Sequence, residues 1–233
     1  MKKLLIFDMD GLMFESGKLA FRGYLESARK YDYQMTHDVY YYLTGRTCEE
    51  IYDEMENLYG SENDTRTWRE EMLRSKQEIL EKEQKIGKKP GLLELLQYCR
   101  ENEIQTAMAS SNDLMMIRQY LQMEQMEGMI PFIVSGEEVR RGKPDPEIFQ
   151  KACRKAGAEP EEVLVLEDSM VGILAANRAG YQSVWIEDDI TELPEYDGKI
   201  KLKKSLDRKN MKWGRPDFVC KSLKEVVNLL KEL

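Results

Sequence analysis

The chain has 233 residues, 42% of them apolar and 33% charged, with a formal net charge of −8. That length supports a substantial core in one domain, or in one domain bearing an insertion, and the acidic balance argues against nucleic acid or an anionic membrane as the main partner. Four scattered cysteines without a C-x-x-C pair, and a single histidine, argue against a disulfide framework, a zinc site and a Ser-His or Cys-His hydrolase. No G-x-S-x-G elbow is present either.

The first apolar run, Leu4-Leu5-Ile6-Phe7, is too short for a signal peptide or a membrane span, so a cytoplasmic protein with reduced cysteines is expected. It reads as a buried strand that ends in Asp8-Met9-Asp10-Gly11. Residues 15–86 then carry helix signals and no convincing strand. Thr47-Cys48-Glu49-Glu50 is a capping box leading into Ile51, Met55 and Leu58 on one face and a stop at Gly60. Asp64 caps a further helix from about 65 toward 85, and His37 is expected in a solvent-facing loop. Gly87-Lys88-Lys89-Pro90-Gly91 reads as a linker.

Beyond the linker, strands and helices alternate. Strands are expected at 105–109, 132–134, 163–166, 183–186 and 218–219, with helices over 91–102, 113–124, 146–156 and 170–179. Asp145-Pro146-Glu147 marks one helix start, and Gly157 and Gly180 mark two helix ends. Such alternation predicts an α/β fold whose parallel sheet is covered on both faces. The basic stretch 199–212 is expected to be a solvated loop.

Four strand ends turn from apolar to polar: Asp8-Met9-Asp10-Gly11, Ser110-Ser111-Asn112, Ser135-Gly136-Glu137 with Lys143 beyond it, and Glu167-Asp168-Ser169. Ligands bind at the carboxyl ends of strands in open parallel sheets. If the fold gathers these ends, Asp8, Asp10, Glu167 and Asp168 face one small volume. Carboxylates that close stay ionised only with a cation among them, and oxygen ligands without His or Cys select Mg²⁺ before Zn²⁺. The Ser110 hydroxyl, the backbone N–H groups of Ser111 and Asn112, and the Lys143 ammonium would suit a phosphoryl group. No P-loop or G-x-G-x-x-G is present.

The motifs F-D-M-D-G at 7–11, A-S-S-N at 109–112, G-K-P-D-P-E-I-F at 142–149 and L-E-D-S-M-V-G-I-L-A-A at 166–176 resemble, in order, those of the haloacid dehalogenase-like superfamily. The similarity is to its branch of small phosphatases and β-phosphoglucomutases. It implies a Rossmann-like core at 1–14 and 88–233, with a helical cap domain inserted at 15–87 and hinges at 14–17 and 87–91. It further implies Asp8 as nucleophile and Asp10 as general acid and base. Ser110, Ser111, Asn112 and Lys143 would hold the phosphoryl group, and Asp8, the Asp10 carbonyl, Glu167 and Asp168 would hold Mg²⁺. Leu43-Thr44-Gly45-Arg46-Thr47 is similar to the family's cap loop. Arg22, Tyr42, Arg46 and Trp68 are the cap positions expected to choose the substrate. The family's mutases carry a His before Phe-Arg and an Arg after the cap-loop Gly; here those positions are Ala20 and Cys48. The expected activity is therefore a Mg²⁺-dependent phosphatase of small phosphorylated metabolites, sugar phosphates foremost, in a monomeric protein. A β-phosphoglucomutase-type hexose-phosphate mutase is the alternative.

Overall fold

In a computed structural model, which describes residues 2–206 and 214–233, the run at 4–7 is strand β1 (Leu4–Phe7), and all four of its residues are fully buried. Helices α1 (Ser16–Tyr31), α2 (His37–Leu43), α3 (Cys48–Tyr59) and α4 (Thr65–Glu83) follow. Then come α5 (Leu92–Glu101), β2 (Gln105–Ala109), α6 (Leu114–Met123), β3 (Phe132–Val134), α7 (Glu147–Ala156), β4 (Val163–Glu167), α8 (Met170–Ala179) and β5 (Gln182–Ile186). Strand β6 (Phe218–Cys220) and helix α9 (Leu223–Leu230) close the chain.

The six strands form one parallel sheet in the order β3-β2-β1-β4-β5-β6. Side chains alternate between its faces along each strand. Leu5, Phe7, Leu164 and Leu166 pack with α5, α6 and α9 through Leu95, Ile117, Tyr120 and Val226. Leu4, Ile6, Val163 and Val165 pack with α7 and α8 through Phe149, Ala152 and Ala176. With helices on both faces, the central strand has no place for a polar residue, which is why β1 reads as an unbroken apolar run. Successive connections run outward from β1 to β3 on one side and from β4 to β6 on the other. The order thus reverses between β1 and β4, where a crevice opens at the strands' carboxyl ends.

Helices α1 to α4 build a second apolar cluster around the fully buried Trp68. Tyr33 stacks on its indole at a centroid distance of 4.2 Å, and Tyr59 meets it edge-on at 5.0 Å. The capping box at Thr47 and Glu50 opens α3 as expected, with Glu50 Oε2 accepting from Thr47 N at 2.9 Å. The two linkers to this layer lie side by side: Glu15 N donates to Gly87 O and Lys89 N to Met13 O, both at 2.9 Å.

One expectation is refined here and another corrected. Residues 190–206 join the helical layer: Ile190, Leu193, Tyr196, Ile200, Leu202 and Leu206 pack in its cluster. Backbone bonds fix them there, among them Ile200 N to Asp32 O at 2.9 Å and Met35 N to Tyr196 O at 2.8 Å. The described part of the basic stretch is a loop with exposed lysines, as expected, but one anchored on the helical layer by Ile200, Leu202 and Leu206. Lys199 pairs with Asp32 at 2.9 Å and Lys203 with Glu62 at 2.8 Å; residues 207–212 lie outside the described residues. His37 opens α2 rather than a loop, its ring 5.2 Å from that of Phe21 and its Nε2 2.8 Å from Leu193 O. No helix among the described residues is long and apolar enough to cross a membrane.

Because Ile6 is sealed between β2, β4 and the α7–α8 layer, Ile6→Ala is expected to cost about 2–5 kcal/mol of stability. Leu93→Ala, on a side chain 44% exposed, is expected to change it by less than about 0.5 kcal/mol. Denaturant unfolding of the two variants beside wild type checks both values.

Candidate active site

The crevice between β1 and β4 gathers the predicted residues. The ladder continues one step past β1, with Asp8 N donating to Leu166 O at 3.0 Å, and this places the Asp8 carboxylate at the strand's tip. Gly11 then turns the chain with φ +75°; a Cβ there would lie 2.2 Å from Asp168 Oδ2, so only glycine permits the close approach. From β4, Glu167 is fully buried and accepts from both Ser169 N and Ser169 Oγ at 2.9 Å. Ser169 in turn caps α8 by accepting from Gly172 N at 3.1 Å.

Lys143 arrives from the loop before α7 and is fully buried. Its ammonium donates to Asp8 Oδ1, to Glu167 Oε1 at 2.6 Å and to Ala109 O at 3.4 Å. It therefore joins the ends of β1, β2 and β4 in one knot. Burial works to lower the Lys143 pKa, but the charges of Asp8 and Glu167 outweigh it, and the net shift is upward. Burial pushes the Asp8 carboxyl up to about 8, with Glu167 and Asp10 adding to the shift against the pull of Lys143. Asp168 is raised well above the carboxylate range by burial and by the charges of Glu167, Asp8 and Asp188.

Asp8, Glu167 and Asp168 offer ligand oxygens that all lie within 4.8 Å of one another. Three buried carboxylates face one lysine, and a hard divalent cation on oxygen ligands fits both the donor set and the unbalanced charge. The Asp10 carboxylate stands apart from this group, held through Oδ2 by the Asn112 side-chain amide.

A cavity of about 310 Å³ lies over these groups, with Asp8, Asp10, Asp168, Ser111 and Asn112 in its wall. Ser110 is buried, and its hydroxyl accepts from Asn112 N at 3.2 Å, so in this conformation it organises the turn. Helices α1 to α4 cover the opening. Gly45, at φ +83°, comes so near Ser169 that a Cβ would sit 2.4 Å from its Oγ, and Ser111 Oγ donates to Gly45 O at 3.3 Å.

The expected cap residues separate. Arg46 lines the cavity, but its Nε donates to Tyr42 O at 3.0 Å and its Nη1 lies 3.6 Å from Glu54 Oε1. Arg22 does not line it: its guanidinium pairs with Glu83 at 2.6 Å and 3.1 Å on the outer surface, 40% exposed. An arginine on α1 one position past the buried Phe21 faces outward, toward an acidic partner on α4. Trp68 belongs to the helical core and not to the cavity wall.

Several wall residues have no counterpart in the sequence reading. Tyr40, Arg69 and Lys76 face the cavity from α2 and α4. Asp188, just past β5 and outside the cavity wall, also lacks a counterpart; it is 1% exposed and paired with Lys89, which also lies 3.2 Å from Glu15. Burial, with Glu15 adding and Lys89 opposing, pushes the Asp188 carboxyl up to about 6. Asp188 was legible by the strand-end rule that found the others, since Ile186-Glu187-Asp188 is the same turn from apolar to acidic. Arg69 and Lys76 were legible as cations spaced seven apart, in line with Met72 on an apolar helix face.

The family model for haloacid dehalogenase-like hydrolases matches residues 5–186. The phosphorylated carbohydrates phosphatase of Thermotoga maritima is 30% identical over 184 residues, covering 77% of this chain and 82% of that protein. Among solved structures, the β-phosphoglucomutase of Clostridium difficile aligns with a TM-score of 0.74 at 20% identity, over 100% of this chain and 96% of that one. CbbY of Rhodobacter sphaeroides in complex with phosphate aligns with a TM-score of 0.71 at 20% identity, over 97% of this chain and 96% of that one. The two structures speak for the fold; the family match, extending from β1 through β5 and carrying the whole acidic knot, speaks for descent. The chain belongs to the haloacid dehalogenase-like hydrolase family.

Proposed function

We propose that this protein is a Mg²⁺-dependent phosphatase of small phosphorylated carbohydrates that works through an aspartyl phosphate on Asp8. The observation that carries the reading is the division of labour among the acids at the tips of β1 and β4. Asp8 is locked to Lys143 beside Glu167 and Asp168, while Asp10 is held a short way off by Asn112. The relative named for phosphorylated carbohydrates supports the substrate class.

Mg²⁺, when bound by Asp8, Glu167 and Asp168, supplies positive charge to the transferring phosphoryl oxygens. The chain does the rest. An Asp8 carboxylate oxygen forms a bond to phosphorus as the bond to the substrate's bridging oxygen breaks, and Asp10 gives that oxygen its proton. Water then attacks the phosphorus of the aspartyl phosphate and passes a proton back to Asp10, releasing phosphate and restoring Asp8. Lys143 keeps Asp8 oriented and helps neutralise the phosphoryl group. Ser111 and Asn112 present the loop before α6, and the Ser110 hydroxyl, which uses only its acceptor in the turn, keeps its proton for a phosphoryl oxygen.

A hexose-phosphate mutase is the less favoured reading. Ala20 and Cys48 both line the cavity. They leave a methyl and a thiol at the two positions where the family's mutases carry a histidine and an arginine.

With p-nitrophenyl phosphate and Mg²⁺, Asp8→Asn is expected to abolish turnover. Asp10→Asn should retain a slow reaction, about 10²–10⁴-fold down. Phosphate release without interconversion of glucose 1- and 6-phosphates is expected from wild type; the converse result would favour the mutase.

The raised Asp8 pKa also predicts a pH dependence of stability. Its folded value, about 8, lies above the ordinary value of 3.8. The stabilisation from the protonated form is therefore complete below about pH 4 and is lost as pH rises toward 8. In EDTA the thermal midpoint should fall across this window, less steeply in Asp8→Asn. Stabilisation by Mg²⁺ should grow over the same range, since the metal requires deprotonated ligands. Thermal melts at pH 5, 6.5 and 8 with and without Mg²⁺ check both slopes.

A further inference from the structure

Asp188 is buried beside the active site and has no task in the scheme above. It stands where the chain from β5 passes to the helical layer, and its backbone is fixed there. Tyr41 Oη donates to Asp188 O at 3.1 Å and accepts from Ile190 N at 3.3 Å. One oxygen of the carboxylate is engaged: Lys89 donates to Oδ1 and lies 3.2 Å from Glu15. The linkers at 14–17 and 87–91 and the chain leaving β5 thus meet on one ammonium.

The other oxygen is not engaged. Asp188 Oδ2 is buried and has no hydrogen-bond partner among the described residues. It faces the turn after β1: it lies 2.8 Å from the point that a Cβ on Gly11 would occupy, and Asp168 Oδ2 lies 2.2 Å from the same point. A Cβ on Gly17, in the first turn of α1, would come within 1.7 Å of Asp188 Oδ2. Two glycines therefore leave the space that this oxygen fills. The Asp188 charge also reaches Asp168, where it adds to burial, Glu167 and Asp8 in raising the carboxyl pKa.

A carboxylate oxygen kept from bulk water is costly unless a donor or a cation meets it. The nearby cations do not. Lys89 is on Oδ1, Lys18 pairs with Glu192 at 2.9 Å, and Lys143 is held by Asp8 and Glu167. Nor does Asp188 stand with the direct ligands, since the described acids with oxygens all within 4.8 Å of one another are Asp8, Glu167 and Asp168. Mg²⁺, however, dehydrates reluctantly and keeps several waters, whose O–H groups are donors for acids beyond the direct ligands.

We propose that Asp188 is a positioning residue of the metal site: its Oδ2 accepts a hydrogen bond from a water on the Mg²⁺ held by Asp8, Glu167 and Asp168, and its charge strengthens binding of the ion. The inference rests on the cation part of the reading above and extends it to a third strand end. It also ties the ion to the hinge, because the same carboxylate holds Lys89.

The test is Mg²⁺ affinity at pH 7.5, read by calorimetric titration of the full chain without substrate. Asp188→Asn keeps the shape and an acceptor for Lys89 but puts an NH₂ donor in place of Oδ2. It is expected to weaken Mg²⁺ binding about 10–100-fold. Lys89→Met removes the other half of the ion pair and leaves the Asp188 charge, so it should bind Mg²⁺ as tightly as wild type or more tightly. Asp189→Asn, at the exposed neighbouring position, should bind as wild type does. The rise in thermal midpoint on adding Mg²⁺ should shrink in Asp188→Asn and persist in Lys89→Met.

The contrast between the Asp188 and Lys89 variants separates a role at the metal from a role in the hinge alone, which either substitution would disturb alike. If Asp188→Asn melts too low to titrate, the double variant with Lys89→Met replaces it, compared with Lys89→Met alone and with the same loss expected. Equal Mg²⁺ affinity in wild type and Asp188→Asn, or equal losses in Asp188→Asn and Lys89→Met, would overturn the proposal and leave the phosphatase reading standing. A wild-type protein that binds no Mg²⁺ would overturn both.

Discussion

The ammonium of Lys143 between Asp8 and Glu167 is the contact on which the rest of the architecture turns. It is fully buried, and it reaches carboxylates that come from two neighbouring strands. Without it, the tips of β1 and β4 would carry uncompensated like charges in a medium that screens them poorly, and the strands could not end so close together. Replacing it with a neutral side chain would strand those acids, a situation far more costly than the absence of the whole set. The local sequence obeys this constraint. Gly11 removes a Cβ that would strike Asp168, and Ser169 spends its hydroxyl on Glu167 and the start of α8.

One lysine does not balance three acids, and this deficit is what gives the site its chemistry. Asp8 and Asp168 have raised proton affinities, from burial first and from the neighbouring carboxylates after it, and a divalent cation on oxygen ligands fits such a set. Asp10 is held by Asn112, so two aspartates one residue apart have different partners.

Much of this was readable before any coordinates. All six strands fall where apolar runs predicted them, because a sheet covered on both faces leaves periodicity and length as plain signals. The four polar strand ends were readable for a related reason: burial stops abruptly where a strand leaves the sheet. The helical layer was less legible. Helices α1 and α2 carry their buried faces on Leu, Phe, Tyr and Val mixed with charges, and aromatic residues serve core and surface alike. Arg22 shows the difficulty, since its position beside the buried Phe21 says nothing of which way it turns until Glu83 is seen opposite. The tract 190–206 was illegible as a packing element because Ile190, Leu193, Tyr196 and Ile200 are spaced three or four apart as on a helix, whereas Pro194 and Gly198 interrupt the run and no helix or strand forms. They dock singly, as an extended chain does.

That docked tract changes what the inserted helices are as a unit. An insertion entering and leaving through paired linkers is ordinarily a cassette, exchangeable between relatives at its two joints. Here the hydrophobic interior of the cassette is finished by chain that arrives after β5, more than a hundred residues later, and Tyr41 Oη donates to Asp188 O where that chain departs. A graft of the helices alone onto another scaffold would present a raw apolar flank to water. The helical layer and the tract after β5 are therefore one packing unit built from two distant stretches of chain.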